Sequence, residues 1–293
     1  MKDDKVYRIG RFELILPADH ALDQYQQHFR LYDRLLGEIA RLLVAKYPDA
    51  AAIDIGANVG DTAALLCREQ DMPILCIEGH PQFVSYLRRN LERLPPCIEV
   101  AECLVGARAG SVPLADLHAR DGTAALQPGA QVAAGAPSLA VRRLAEILAE
   151  HPRFGGARLL KTDTDGADFE ILLSSLDVIR KHRPVLYFEY DPTLRVQGTR
   201  EATEVVAALT AEGYRYFLVF DNYGNFMTCI EQDAADRFGE LDRYLLSHLL
   251  FGRRVHYLDV CAFSADDEDL CRALEVYQRE LVESGARESG REI

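Results

Sequence analysis

The apolar positions of this 293-residue chain change period several times, and the changes mark out its elements. A short run from Arg11 to Leu16 reads as a strand, and Pro17-Ala18-Asp19-His20 as the turn after it. Phe29, Tyr32, Leu35, Leu36, Ile39, Leu42 and Leu43 then fall at three- and four-residue steps, which predicts one long helix from about Asp23 to Lys46 with a single buried face. From Ala51 onward strands and helices alternate: a strand from Ala52 to Ile55, a helix from Asp61 to Glu69, a strand from Pro73 to Glu78, a helix from Pro81 to Leu94 and a strand from Ile98 to Val105. Such a βαβαβ run predicts a parallel sheet with right-handed crossovers and a ligand at the carboxyl ends of its strands.

The glycine- and alanine-rich stretch Gly106 to Gly135 breaks this alternation and reads as a short hairpin and a loop bordering the site. Regularity returns with a helix near Leu139 to Glu150, a strand from Ala157 to Thr162 and a helix leading to His182. The run Pro184 to Asp191 is apolar until its acidic end, the mark of a buried central strand. A helix near Glu201 to Glu212 precedes Tyr214 to Phe220 and Asn225 to Cys229, which Asp221-Asn222-Tyr223-Gly224 joins as a hairpin at an antiparallel edge. Seven strands result, in an α/β fold with a mostly parallel sheet. Residues 1–48 stand as an N-terminal strand and helix extension, 49–232 as the cofactor-binding domain, and 233–293 as an appendage packed on it. The appendage holds the strand-like Tyr257 to Phe263 and a helix from Asp266 to Glu283, and the polar Ser284 to Ile293 is expected to be disordered.

Composition narrows the function classes. A formal charge of −13 argues against a broad phosphate-binding surface, so nucleic acid is not an expected partner. No apolar run reaches the roughly 18 residues of a membrane helix, and Met1-Lys2-Asp3-Asp4 does not open a signal peptide, so a cytoplasmic protein is expected. The cysteines Cys67, Cys76, Cys97, Cys103, Cys229, Cys261 and Cys271 are scattered singly, without the spacing of a zinc or redox motif, and read mostly as small buried apolar groups.

The candidate chemistry starts at Ile53-Asp54-Ile55-Gly56-Ala57-Asn58-Val59-Gly60-Asp61-Thr62, an apolar strand entering a glycine turn whose helix points free N–H groups at a ligand. The next strand ends in Glu78, where a carboxylate in a βαβ unit accepts both hydroxyl hydrogens of a ribose. Asn58 stands where a dinucleotide site has its middle glycine, and Asp54 would repel a pyrophosphate but suits the ammonium of an amino-acid moiety. The pattern therefore favours S-adenosylmethionine over NAD.

Four blocks together resemble the FkbM family of S-adenosylmethionine-dependent methyltransferases. They are Ile53 to Thr62; Ile77-Glu78-Gly79-His80-Pro81 with Leu87 and Asn90; Leu160-Lys161-Thr162-Asp163-Thr164-Asp165-Gly166-Ala167-Asp168-Phe169-Glu170-Ile171-Leu172; and Pro184 to Glu189. The third block is the distinctive one, with Asp165 and Asp168 where glutamate is common. The resemblance implies a Rossmann-like class I methyltransferase fold and methyl transfer to a hydroxyl of a sugar, glycan or polyketide-like acceptor. It implies that Asp54, Gly56, Asn58 and Gly60 hold the methionine part, that Glu78 holds the ribose, that Leu104 and Val105 flank the adenine, and that Ala57, Asp61 and Thr62 also belong to the cofactor-binding set.

A methyl sulfonium is already a good electrophile, so such an enzyme chiefly aligns the acceptor and removes its proton. Asp163 is the candidate for that task, with helix capping by Asp163 and Asp165 as its structural alternative. Mg²⁺ is not an expected requirement; if a metal is held, Asp163, Glu189 and Asp191 are the candidate ligands, and Lys161 is a candidate partner for these acids. His80 is expected to shape the turn after Glu78. The N-terminal helix suits either a cap over the cofactor or a homodimer contact. A nicotinamide-dependent oxidoreductase and a non-catalytic cofactor-binding module are the competing readings.

Overall fold

The strands Ala52–Ile55, Ile74–Ile77, Leu159–Thr162 and Val185–Tyr190 are buried at every position, so the sheet they form needs cover on both faces. The computed structural model describes residues 4–120, 123–126, 136–195, 197–252 and 254–288. Its elements are β1 (Lys5–Ile9), β2 (Phe12–Leu16), α1 (Leu22–His28), α2 (Arg34–Lys46), β3 (Ala52–Ile55), α3 (Asp61–Leu66), β4 (Ile74–Ile77), α4 (Pro81–Leu91), β5 (Ile98–Ala101) and β6 (Leu104–Val105). Then follow β7 (Gly110–Pro113), β8 (Leu117–Arg120), β9 (Thr123–Leu126), β10 (Ser138–Arg142), α5 (Leu144–Glu150), β11 (Leu159–Thr162), α6 (Asp168–Ser174), α7 (Leu176–His182) and β12 (Val185–Tyr190). The chain closes with α8 (Gly198–Ala211), β13 (Tyr214–Asp221), β14 (Phe226–Ile230), α9 (Ala234–Phe251), β15 (Leu258–Ser264) and α10 (Glu268–Glu288).

The main sheet has the order β14-β13-β15-β12-β11-β3-β4-β5, with β12, β11, β3, β4 and β5 parallel. This is the Rossmann-like α/β arrangement, with eight strands rather than the expected seven. The additional strand is β15, placed by its sequence position in the appendage but inserted antiparallel between β12 and β13. Six of its seven residues are buried, a pattern that suits a strand covered on both sides and not an outlying one. The hairpin β13–β14 forms the antiparallel edge.

One face of the sheet is covered by Leu35, Leu36, Ile39 and Leu43 of α2, by α3 and α4, and by Leu270 and Leu274 of α10. The opposite face takes Ile147, Ile171, Ile179, Val205 and Phe238 from α5 to α9. The N-terminal extension is thus part of one core layer.

Four local expectations change. The single helix over 23–46 is broken between α1 and α2, where Asp33 adopts a left-handed φ of +56°. Phe29 turns away from the α2 face to pack on Tyr223, with ring centroids 4.2 Å apart, and so keeps the apolar period while leaving the helix. The strand over 98–105 divides at Glu102 and Cys103, and its second part, β6, pairs with β10 instead of with the main sheet. The helix expected from Leu139 begins only at Leu144, because Ser138 to Arg142 alternate as a strand between β6 and β7. Within the expected hairpin-and-loop stretch, β7 and the β8–β9 hairpin form, while 121–122 and 127–135 lie outside the described residues. The expected polar tail is helical to Glu288; 289–293 lie outside the described residues, as do 1–3.

Candidate active site

At the carboxyl end of β3 the chain must turn within a few residues into α3. Gly56 makes this turn at φ +81°, and a Cβ there would lie 2.0 Å from the Asp163 carbonyl oxygen. The glycine is therefore demanded by contact between two backbones, not only by a ligand's approach. Its N–H and that of Ala57 donate to the Ile77 carbonyl, at 2.9 and 3.1 Å, which locks the turn onto the end of β4.

Glu78 completes the turn. Its Oε2 accepts the Asn58 N–H at 2.9 Å and its Oε1 the His80 N–H at 2.7 Å. Burial raises its carboxyl pKa above the ordinary value, opposed by these backbone donors. The Gly79 N–H acts on it in the same sense, and the carboxylate keeps acceptor capacity beyond these donors. Asn58 is itself left-handed, φ +48°, and its Oδ1 lies 3.4 Å from Nε2 of the buried His20. Because Leu22 N–H donates to His20 Nδ1, the Nε2 side carries the proton toward Asn58. His20 thus ties the N-terminal extension to the turn. His80 precedes α4 and stacks near Phe83, with centroids 4.8 Å apart, while its N–H shapes the Glu78 carboxylate.

These groups face a cavity of about 220 Å³. Its lining includes Gly56, Asn58 and Glu78, Leu104 and Val105 of β6, Leu117 and Ala124 of the β8–β9 hairpin, and Asp163, Thr164 and Asp165, the first two of which lie against Gly56. Asp54, Ala57, Gly60, Asp61 and Thr62 are not among the lining residues. Asp54 is instead fully buried, paired in register with Lys161 of β11, so that both side chains share one sheet face. Lys161 Nζ lies 3.3 Å from Asp54 Oδ1 and 3.2 Å from Asp163 Oδ2, and Asp163 is half-exposed toward the cavity.

Lys161 is surrounded by more acids than it can neutralise. Burial pulls its pKa down, but Asp163, Asp54, Asp61 and Asp33 outweigh this and hold it above the ordinary value. Burial followed by neighbouring carboxylates pushes Asp33 up to about 8, and burial, opposed by Lys161, leaves Asp54 at about 6. Asp259 and Glu189 are also raised, by burial first and then by Asp33 or Asp163. At about 8, Asp33 keeps its proton at neutral pH, so the carboxylates that lie against Lys161 are Asp54 and Asp163.

The loop between β11 and α6 is organised by neither Asp163 nor Asp165, and no side chain caps α6. Asp168 does it: Oδ1 accepts the Thr162 hydroxyl at 2.7 Å and the Thr164 N–H at 3.1 Å, and Oδ2 accepts the Gly166 N–H at 3.4 Å. Asp165 accepts the Ala124 N–H at 3.2 Å, tying the hairpin to the loop, and burial followed by Asp163 raises it to about 7. Asp163, Glu189 and Asp191 do not gather as a metal site. Asp163 pairs with Lys161, Asp191 Oδ1 accepts the Thr193 N–H and hydroxyl, and among the described residues only Cys229, Cys271 and Glu275 bring three such ligand atoms within 4.8 Å.

The sequence did not single out Phe83, Leu117, Ala124 or Arg195 of the cavity wall, or Asp33 beside it. The break in periodicity over 106–135 was the one signal that a segment there closes on the site.

The profile of the methyltransferase FkbM domain matches residues 54–216, more than half of the chain. The chain belongs to the FkbM methyltransferase family. The FkbM match starts at Asp54 and ends within β13, so it spans the turn, Glu78, the Asp163–Asp168 loop and β12. No curated protein matches the chain. Among solved structures it is similar to a methyltransferase FkbM from Methylobacillus flagellatus KT, with 18% identity and TM-score 0.43, over 62% of this chain and 43% of that one. The match thus spans less than half the length of the Methylobacillus protein. It is also similar to an O-methyltransferase from Bacillus cereus in complex with SAH, with 14% identity and TM-score 0.41, over 82% and 88%. Among the described residues no helix is long and apolar enough to cross a membrane.

Proposed function

We propose that this FkbM-family protein is an S-adenosylmethionine-dependent O-methyltransferase acting on a hydroxyl of a sugar, glycan or polyketide-like acceptor. The observation that carries the reading is Glu78, a buried carboxylate at the end of β4 that faces a cavity between the Gly56–Asn58 turn and the apolar β6 wall. The residues suit the cofactor. Glu78 has acceptor capacity for the ribose hydroxyls, and Leu104 and Val105 offer an apolar slot for the adenine. Bound there, the cofactor supplies an electrophilic methyl group.

The chain's own task is to align the acceptor and take its proton. Asp163 is the half-exposed carboxylate at the cavity, and Lys161 holds it from behind at 3.2 Å. In this role it orients a hydroxyl and receives its proton as the oxygen attacks. Asp168 keeps the Asp163 loop in place, and the β8–β9 hairpin covers the cavity. A cytoplasmic location and, through the N-terminal layer, a homodimer belong to the same proposal. Release of S-adenosylhomocysteine on a panel of sugar and polyketide alcohols is the test, with Asp163→Asn compared to wild type. The reading expects turnover that falls about a hundredfold or more in Asp163→Asn with cofactor affinity unchanged. Cofactor binding without turnover on any alcohol would favour the non-catalytic module.

A further inference from the structure

The hairpin strand β14 ends the sheet at the side away from the cofactor cavity, and α10 packs across β13 and β15 on the face below it. Cys229 lies in β14 opposite Leu218 of β13 and is half-buried. Cys271 and Glu275 are four residues apart on α10, so their side chains share one face of the helix. The fold brings these three together although the chain separates the cysteines by dozens of residues: one sulfur from each cysteine and one Glu275 oxygen all lie within 4.8 Å of one another.

We propose that Cys229, Cys271 and Glu275 form a Zn²⁺ site that clamps α10 to the edge strand. Two thiolates and a carboxylate are a donor set that Zn²⁺ takes in tetrahedral geometry, with water at the fourth position. Zinc–sulfur bonds of about 2.3 Å set the sulfurs about 3.8 Å apart, so small side-chain rotations close the observed cluster onto an ion. On binding, each cysteine releases its thiol proton to solvent, and the metal–sulfur bonds replace the S–H bonds with no change of oxidation state. The three ligands and the ion then carry one net negative charge. Arg272, whose Nη1 is 2.8 Å from Glu275 Oε2 and 2.7 Å from Glu231 Oε1, supplies a fixed positive charge and orients the carboxylate. Its guanidinium in turn lies over the Tyr216 ring of β13, 5.2 Å from the centroid, which anchors this outer layer to the sheet.

The test uses the full chain, stripped of metal by a chelator under reducing conditions and titrated with Co²⁺. Thiolate-to-cobalt absorption in the near ultraviolet is expected to saturate at about one equivalent and to be displaced by Zn²⁺. Cys229→Ser should lose the band, Glu275→Gln should weaken affinity about tenfold or more, and Cys97→Ser, a half-buried cysteine elsewhere, should behave as wild type. Zn²⁺ should raise the melting temperature of wild type and Cys97→Ser but not of Cys229→Ser. Circular dichroism establishes that each variant is folded, and Glu275→Gln carries the test if Cys229→Ser is not. Absence of the band in folded, reduced wild type, or equal binding by wild type and Glu275→Gln, would overturn the proposal.

Discussion

Replacing Gly56 by alanine adds one methyl group at the tightest point of the site. The residue sits at φ +81°, where a side chain costs about 1–2 kcal/mol. The new Cβ would also lie 2.0 Å from the Asp163 carbonyl oxygen, an atom of the backbone that cannot rotate away. The Asp163 N–H donates to Ile55 at 3.1 Å and the Gly56 N–H to Ile77 at 2.9 Å, so relieving the clash must part β3 from β11 or from β4. Overpacking of this kind costs about 1–3 kcal/mol, for a total of roughly 2–5 kcal/mol. For a domain of this size that is a fall of roughly 5–15 °C in melting temperature, read by differential scanning calorimetry. The variant that still folds should bind S-adenosylhomocysteine at least about tenfold more weakly, because the same shift moves Asn58 and Glu78. Gly239→Ala, in α9 with nothing within 4 Å of the added Cβ, serves as control and should be neutral or up to about 1 kcal/mol more stable. A Gly56→Ala protein as stable as wild type with unchanged affinity would refute the described contact.

Three further outcomes follow from the same geometry. Asp33, Asp165, Asp54 and Asp168 are raised in the folded state to about 8, 7, 6 and 6 from an ordinary 3.8, so the folded protein retains protons that the unfolded chain has released. Their contribution to stability is full below about pH 4 and is lost as pH rises through 6 to 8; melting temperature should therefore fall from pH 6 to 8.5, and Asp33→Asn should flatten the upper part of the curve. A melting temperature that climbs over that range would show that these groups are not raised. Asp168→Ala leaves the Thr162 hydroxyl and the Thr164 and Gly166 N–H groups without their acceptor, and should cost about 2–4 kcal/mol by urea unfolding; a cost below about 0.5 kcal/mol would show that water replaces it. His20→Ala removes the contact to Asn58 and should weaken S-adenosylhomocysteine binding several-fold in a titration while turnover of bound cofactor is kept; unchanged affinity would mean that Asn58 holds its left-handed conformation alone.

The sequence is most legible where local pattern and position in space coincide. β3, its glycine turn, α3 and β4 follow from consecutive residues, and Glu78 could be placed because a strand end fixes where its next side chain stands. Leu104 and Val105 line the cavity through a strand that leaves the main sheet. What depends on contacts between distant segments was not legible. Nothing in Leu258–Ser264 states that it enters between β12 and β13, and only its lack of polar alternation hints at a covered strand. The helix break at 29–33 hid because Phe29 and Tyr32 keep the apolar period while packing on a different partner. Ser138 to Arg142 did carry a strand signal, in the alternation of Leu139 and Val141 with smaller or polar neighbours. Among the acids of the third block, Asp163 could be singled out from its place at the strand end, but the task weighed for Asp163 and Asp165, accepting free backbone N–H groups, falls instead to Asp168, whose oxygens are turned onto its own loop. Asp54 was expected to meet the ligand, but its register partner Lys161 takes it into the sheet.

The most direct measurement is isothermal titration of the intact chain with S-adenosylhomocysteine, repeated on Glu78→Gln and with NAD as the control ligand. A carboxylate that accepts hydroxyl hydrogens contributes about 1.5–3 kcal/mol, so binding to wild type that weakens about tenfold or more in Glu78→Gln, with no heat from NAD, is the expected result. A wild-type protein that binds NAD and not S-adenosylhomocysteine, or a Glu78→Gln variant with affinity within twofold of wild type, would contradict the assignment of this cavity to the methyl donor.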